Sequence, residues 1–247
     1  MSKCLSIFGI VLMLGCTSKH QWDEVECATP LVSENQNVNH IFKACRTFMY
    51  RARFWDQNFN LITDQKVRMV VTGDDWQHDP QRYSDLLVQY QFSEEEEQMA
   101  SEFNLNILRQ IPWKRNIHAG YLETKNDCWM HPFRYNQYLF TEIAPFPSVP
   151  LPMQPGLEWT SSLMIYDWGD WTDFQITNYY EVIGQEKVEL PIGEIGETWK
   201  VVSYNETEVG RNEHTFWFNE DMGFIKMHYK NFAGQTLIFE LESLTDK

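Results

Sequence analysis

The sequence predicts a mainly β protein, in which an antiparallel meander forms a curved sheet or a partly closed barrel with one short helix. Three observations support this fold class. Short segments rich in aromatic and β-branched residues alternate between apolar and polar positions, as half-buried strands do. Turn signals with glycine or asparagine separate these segments at intervals of about eight to twelve residues. The connections are also too short for the crossovers that parallel strands need.

The N-terminal part of the predicted sheet begins with two strands. Residues 47–55 are rich in aromatic side chains, and residues 61–72 alternate between apolar and polar positions. The turn signal of residues 56–60 separates them, so the two segments are typical of a hairpin. Alternation returns over residues 86–92, which we interpret as a third strand.

The clearest helix signal spans residues 93–103. Ser93 and Glu96 have the spacing of a capping box. The acidic run 94–97 falls in the first turn, where the helix dipole favours anions. Calcium binding is the alternative for this run, but the run lacks the glycine-containing spacing of a calcium loop. The following residues 104–156 show no regular period.

The C-terminal part predicts a continuous run of strands. Glycine-containing turns lie between them and make each connection local. The predicted strands cover residues 157–166, 172–183, 187–190, 199–204, 214–218, 224–230 and 235–242.

The start of the chain has the features of an exported protein. Lys3 precedes an apolar run over residues 5–14. This run is long enough for a secretory signal and too short to span a bilayer. Gly15 and Cys16 follow it directly. We therefore expect residues 1–15 to be a signal peptide that is removed.

The run Leu12-Met13-Leu14-Gly15-Cys16 resembles the lipobox of bacterial lipoproteins, with Met13 and Leu14 departing from the usual residues. In that family the cysteine becomes the N-terminus and carries diacylglycerol on its sulfur, with acyl chains such as palmitate. The resemblance implies a membrane anchor at Cys16. Thr17 stands where an inner-membrane retention signal has aspartate, so the resemblance implies the outer membrane. An ordinary signal peptide cut near a cysteine is the alternative.

Two turn motifs in the C-terminal half carry a family resemblance. Residues 219–226 have the pattern N-E-x-x-G-F-I-K, and residues 229–234 have the pattern Y-x-N-F-x-G. Together with the preceding strands, residues 125–243 resemble uncharacterised β-rich lipoproteins of Bacteroidota-type bacteria. They resemble more distantly periplasmic domains with a lipid-carrier-like curved sheet. The resemblance implies a fold and an envelope location, and it carries no functional residue.

The composition is that of a folded, acidic body. Hydrophobic residues make up 43% of the chain, and the mean hydropathy is −0.46. The formal net charge is −15. An acidic body repels nucleic acid, so we predict no nucleic-acid partner.

Residues 16–40 are polar and irregular, which predicts a flexible tether between the lipid and the domain. Residues 41–247 then form a single β-rich domain. Its proline-rich segment 144–156 is either a sub-boundary or a crossover inside that domain.

Five cysteines are present: Cys4, Cys16, Cys27, Cys45 and Cys128. Three remain after loss of the leader and lipidation of Cys16, so at most one internal disulfide forms. We expect that bridge between Cys27 and Cys45, because both flank the start of the folded region and export leads to an oxidising space. No cysteine and histidine spacing typical of zinc is present, so we predict neither a metal nor a cofactor.

Two groups of residues are candidates for ligand binding. His131 can act as a base near neutral pH, and Arg134 can bind an anion. The pair is therefore a candidate ligand site. With Cys128 as a nucleophile the same group suggests an enzyme. A structural role, with His131 hydrogen-bonded and Arg134 paired to an acid, is the alternative. Trp168 and Trp171 flank a glycine turn, where their rings either stack on sugars or fill the ends of the sheet.

These observations predict an exported, lipid-anchored envelope protein without catalytic activity. Its partners are the membrane, through the lipid, and either a hydrophobic ligand held on a concave apolar face or an envelope protein. A glycan-binding module is one alternative, and a hydrolase-type enzyme is a second.

Overall fold

The computed structural model describes residues 22–27, 40–97, 113–166 and 174–246. All strands of these ranges belong to one twelve-stranded sheet. Every neighbouring pair is antiparallel, and the sheet curls into a half-barrel. The predicted fold class is therefore confirmed. No helix in the described ranges is long and apolar enough to cross a membrane.

The strands are β1 (Thr47–Trp55), β2 (Leu61–Asp75), β3 (Ser84–Tyr90), β4 (Asn116–Glu123), β5 (Asp127–Met130), β6 (Ser148–Pro150), β7 (Glu158–Ile165), β8 (Phe174–Leu190), β9 (Gly193–Thr207), β10 (Gly210–Asn219), β11 (Gly223–Lys230) and β12 (Thr236–Thr245). A 3-10 helix, Asn136–Ile143, lies between β5 and β6.

The order of strands places both ends of the sequence at the middle of the sheet. The order is β6-β5-β4-β3-β2-β1-β12-β11-β10-β9-β8-β7. The chain therefore starts at the centre with β1, runs outward to β6, crosses to the opposite edge at β7 and returns to β12. Residues 151–157, which follow β6 at the end of the proline-rich segment, make that crossing inside one sheet.

The two faces of the sheet differ in polarity because successive side chains of a strand point to opposite sides. On β1 the inward side chains Tyr50 and Phe54 are fully buried. The outward side chains Arg51 and Arg53 form ion pairs with acids of neighbouring strands. The apolar core thus lies on the concave side, and the convex side is polar.

Strand β8 is longer than the sequence predicts. Two separate strands, 172–183 and 187–190, were expected because Ile183-Gly184 resembles a turn. The structure continues the strand instead, with a register shift between Val182 and Gly184, where Gly184 has a φ of 150°. A β-bulge absorbs the glycine without ending the pairing.

The prediction that residues 104–156 are irregular is wrong for the described part. Strands β4, β5 and β6 and the 3-10 helix all fall within it. Strands β5 and β6 contain only four and three residues. Such short strands show too few alternations for the period to be visible in the sequence.

The predicted capping box is confirmed. The Ser93 backbone N–H donates to Glu96 Oε2 at 2.8 Å, and the Glu96 N–H donates to Ser93 Oγ at 3.1 Å. The helix starts at Glu94, and its predicted continuation beyond residue 97 lies outside the described residues. Among the described residues, no group of three or more acidic, histidine or cysteine side chains could hold a metal ion.

The folded domain begins with a tight contact between the chain and β4. The backbone N–H groups of His40, Ile41 and Phe42 all donate to the Glu123 carboxylate, at 2.8–3.1 Å. Earlier in the chain, residues 22–27 lie within the predicted tether and contact the convex face of the sheet through Asp23.

Candidate functional site

The concave side of the sheet is filled by the protein's own chain. The segment that connects β5 to β7, residues 133–157, is called here the inner segment. Phe133 packs between Tyr50 and Phe239, with ring centroids 5.1 and 4.9 Å away. Tyr138 also packs on Phe239, at 5.1 Å. The side chains of Phe133, Tyr138, Phe140, Ile143 and Phe146 are all buried. These residues therefore cover the concave side of β1, β11 and β12, and a hydrophobic ligand on this side stays a prediction.

Prolines determine which hydrogen bonds the inner segment needs. Pro145, Pro147 and Pro150 have no N–H group, so this stretch has more acceptors than donors. Its buried carbonyl groups require donors, because an unpaired buried polar group is costly. The Met130 backbone N–H donates to the Pro147 carbonyl at 3.2 Å. Other carbonyl groups of the segment accept from side chains of the sheet.

Inward side chains of β8, β9 and β10 supply these donors. The group consists of Asn178, Tyr180, Asn205, Asn212 and His214 and is called here the polar row. Its members are at most 3% exposed, although all of them are polar or carry a polar group.

Four members of the polar row donate to three carbonyl groups of the inner segment, and the longest of these contacts is that of Asn212 Nδ2 with the Ile143 oxygen, at 3.4 Å. Asn205 Nδ2 lies 2.8 Å from the oxygen of Ile143. His214 Nδ1 lies 2.8 Å from that of Pro145, and the Tyr180 hydroxyl lies 3.1 Å from that of Phe146. Since a carbonyl oxygen only accepts, His214 carries its proton on Nδ1.

Amide contacts join the polar row into a network. Asn205 Nδ2 also donates to Asn178 Oδ1 at 2.7 Å, and Asn212 Nδ2 donates to Asn205 Oδ1 at 3.1 Å. The Phe232 N–H donates to Asn212 Oδ1 at 3.2 Å. Each amide is thus held in one orientation, which fixes the donors that face the inner segment.

Burial keeps His214 neutral. It lowers the pKa of His214 to about 3. The imidazole stacks on the Tyr229 ring with centroids 3.8 Å apart. Its Nε2 has no hydrogen-bond partner among the described residues. A neutral ring with a fixed Nδ1 proton is the form that the Pro145 carbonyl requires.

His131 and Arg134 are engaged in contacts within the protein. The Gly120 N–H donates to His131 Nδ1 at 3.0 Å, and the ring packs against Trp76 and Trp129. Burial, with a further contribution from Arg134, lowers the pKa of His131 well below its usual value. Arg134 Nη1 lies 2.6 and 2.8 Å from the two Glu142 oxygens. These are the contacts of the structural alternative, and a ligand at these residues stays a prediction.

Cys128 lies in the core of the protein. Cys128 is fully buried, and burial raises the pKa of its thiol well above the usual value. A thiol with a raised pKa is a poor nucleophile near neutral pH. Cys45 is a thiol in the structure, so the expected bridge between Cys27 and Cys45 is not formed there. The Cys45 N–H instead donates to the Val71 carbonyl in the turn before β1.

Three predicted site residues lie outside the described residues: Cys16, Trp168 and Trp171. Lipidation of the first and glycan binding by the other two stay predictions.

One edge of the sheet is open. Strand β7 pairs with β8 from Glu158 to Ile165 without a register shift. Its other side has no backbone partner in the described part of the chain. The strand contains no proline, lysine or arginine. These residues, bulges and short strands are the usual means by which proteins protect an edge from pairing.

The opposite edge is protected. Strand β6 has three residues, ends at Pro150 and follows Pro147. Proline cannot donate to a neighbouring strand. Of the two edges, only β7 therefore offers a long row of pairing groups.

Exposed apolar side chains lie on β7, directly after it and on the neighbouring β8. Met164, Tyr166, Tyr179 and Ile183 are exposed. They are four of the six large apolar side chains that are exposed in the described ranges. Strand β7 with these four side chains is called here the edge surface. These side chains are candidates for contact with a partner.

The sequence analysis missed both the polar row and the edge surface. Asn178 on β8 and Asn212 on β10 stand at positions where the alternation of the strand places buried side chains. Asparagine at such positions is the signal by which the sequence could have indicated the polar row. The edge could not be found from the sequence, because it depends on the order of strands.

Several solved structures are similar to this chain at low sequence identity. A candidate exported protein with a YmcC-like fold from Bacteroides fragilis is 12% identical with a TM-score of 0.48, over 83% of this chain and 97% of that one. A candidate lipoprotein from Parabacteroides distasonis is 10% identical with a TM-score of 0.46, over 83% and 97%. The hypothetical lipoprotein YmcC from Escherichia coli is 10% identical with a TM-score of 0.37, over 84% and 88%.

No protein-family model matches the chain, and no curated protein matches it in sequence. Two of these structures are described as lipoproteins and one as an exported protein. They give no information about the function of this chain.

Replacing Asn205 tests the polar row. In Asn205→Leu, the Ile143 carbonyl keeps only the longer contact with Asn212, at 3.4 Å, and Asn178 Oδ1 loses its donor. We expect the free energy of unfolding to fall by about 2–4 kcal/mol, since each buried polar group left unpaired costs about 1–3 kcal/mol. Urea unfolding followed by tryptophan fluorescence measures it. The exposed Asn126→Leu is the control, and equal stability of the two variants would contradict the role of the row.

Replacing His214 tests its burial in the neutral form. The pKa is lowered from 6.5 to about 3, so only the unfolded chain takes up this proton between those values. The contribution of His214 to the free energy of unfolding is therefore fully present above about pH 6.5. It falls as the pH drops toward 3. His214→Gln should reduce this slope by up to about 1.4 kcal/mol per pH unit.

Unfolding curves between pH 7 and pH 4 measure the slope. Other buried histidines such as His131 are present in both proteins, so the difference isolates His214. The exposed His78→Gln is the control, and an unchanged slope in His214→Gln would refute the prediction.

Proposed function

We propose that this chain is a lipid-anchored envelope protein that docks a protein partner on the edge surface. The signal-like residues 1–15 and the lipobox-like Cys16 support export and a lipid anchor. Thr17 after the cysteine favours the outer membrane. The function is binding and not catalysis.

The observation that carries this proposal is the contrast between the filled concave side and the open edge. A hydrophobic ligand on the concave face would have to displace the buried aromatic side chains of the inner segment. It would also break the hydrogen bonds that the polar row makes to this segment. A partner at β7 displaces no part of the chain that the structure describes. Of the two binding modes that the sequence suggests, the protein partner therefore has the lower cost.

The chemistry of β7 favours an extended segment of the partner. Main-chain N–H and C=O groups along an unpaired edge bind a further strand by backbone hydrogen bonds, while side chains on either face give specificity. The small outward residues Thr160 and Ser162 leave room beside the strand, and Met164, Tyr179 and Ile183 add apolar contact area. The partner strand is expected to carry apolar side chains on the same face.

Crosslinking in the envelope tests the edge surface. A photoreactive amino acid at Met164 is expected to give an adduct of defined mass with a second protein. The same amino acid at Lys187, which is exposed in the β8–β9 hairpin, is the control and should give none. Ser162→Lys adds a charge of the kind that protects natural edges. We expect it to lower the adduct yield about tenfold, which corresponds to ~1.4 kcal/mol.

Equal adducts at positions 164 and 187 would contradict the proposal. An adduct made only with a second copy of this chain would contradict the proposal that the partner is a different protein. Because Ser162 is exposed, an unchanged urea midpoint in Ser162→Lys confirms that the fold is retained.

Removing the acceptor sulfur tests the anchor. Cys16→Ser is expected to leave the membrane fraction, since each buried methylene of an acyl chain contributes about 0.8 kcal/mol of membrane binding. Fractionation of cells and the mass of the N-terminal peptide measure this. Cys4→Ser, inside the leader, is the control. Retention of Cys16→Ser in the membrane fraction at the wild-type level would refute the anchor.

A further inference from the structure

A row of three polar side chains on the convex face receives the N-terminal segment. Arg68 on β2, Gln89 on β3 and Asn116 on β4 lie side by side in the strand register. They are called here the N-terminal seat. Arg68 Nη1 donates to Gln89 Oε1 at 2.8 Å, and Gln89 Nε2 donates to Asn116 Oδ1 at 3.2 Å.

Asp23 binds to all three residues of the seat. Its backbone oxygen accepts from Arg68 Nη1 at 3.0 Å and from Gln89 Nε2 at 3.5 Å. Its carboxylate accepts from Asn116 Nδ2 at 2.6 Å. Gln89 is only 2% exposed although it points to the convex side. The N-terminal segment therefore covers the seat and is bound to the sheet.

The seat shortens the link between the lipid and the domain. Seven residues lead from Cys16 to Asp23, and an extended chain of that length spans at most about 25 Å. Without the seat, the link would run from Cys16 to Ile41 and could span about 90 Å. A domain of this size is about 40 Å across. A lipid held within 25 Å of the seat therefore keeps this side of the domain at the membrane.

From this geometry we infer that the contact between Asp23 and the N-terminal seat orients the domain, with the convex face of β2–β4 toward the lipid bilayer. The inference rests on the lipidation of Cys16 proposed above. Strand β7 lies eight strand positions from β3. At about 4.8 Å per strand, this separation is about 40 Å along the sheet. The edge surface is then presented away from the bilayer.

Energy transfer to labelled lipids tests the orientation. The full lipidated protein is placed in phosphatidylcholine vesicles that contain an acceptor dye on the lipid head groups. A fluorescent amino acid replaces Lys114, next to the seat, or Lys187, in the β8–β9 hairpin. Both lysines are exposed. We expect several-fold more transfer from position 114 than from position 187.

A pair of charge variants separates the seat from general electrostatics. Asp23→Lys removes the carboxylate that Asn116 binds and places a cation beside Arg68. It should abolish the difference in transfer between the two positions. Glu24→Lys makes the same charge change at the next residue, which is exposed, and should keep the difference. Both changes lie outside the sheet, and an unchanged urea midpoint shows that the fold is intact.

Equal transfer from positions 114 and 187 in the lipidated protein would overturn the orientation alone. A difference that persists in Asp23→Lys would also overturn it. The mass of the N-terminal peptide is measured in the same samples. A chain without lipid would overturn both this inference and the proposed anchor.

Discussion

The arrangement of this protein depends on the hydrogen bonds between the polar row and the inner segment. The apolar concave side of a curled sheet must be shielded from water. In this protein the proline-containing inner segment shields it. Such a stretch brings carbonyl groups into the core with few N–H groups to balance them. Asn205, Tyr180 and His214 provide the missing donors. Because these donors sit on three adjacent strands, the same contacts hold the sheet in its curled form.

Because the inner segment packs on the concave side, the edges and the convex face of the sheet are the surfaces that a partner can reach. The chain reaches β6 and β7 through a single crossing, and the two edges that result are unequal. Prolines close the first edge, whereas the second has eight residues that pair on one side only. On the convex face, ion pairs such as Lys226–Glu240 satisfy the polar side chains locally. An asymmetric protein with one available edge and one bound N-terminal segment is suited to hold a partner at a defined place.

Local patterns were visible in the sequence, and distant contacts were not. Strand β1 was predicted with its observed bounds because it is rich in aromatic side chains. The Ser93 cap was predicted because its partner is three residues away. Strand β5 is too short to show a period. Asn205 falls just after the predicted strand 199–204, and only the register of β9 against β10 turns it inward. Asp23 resembled part of a tether, since its three partners come from strands far along the chain.

The pairing of β1 with β12 has a consequence for the order of events in the cell. The first and last strands are neighbours at the middle of the sheet, from Thr47 opposite Thr245 to Trp55 opposite Thr236. Contacts between positions so distant in sequence form slowly, because a long loop must close first. The centre of the sheet cannot be completed until synthesis has reached the last strand. Such a delay leaves the polypeptide extended for longer, which suits the export proposed above.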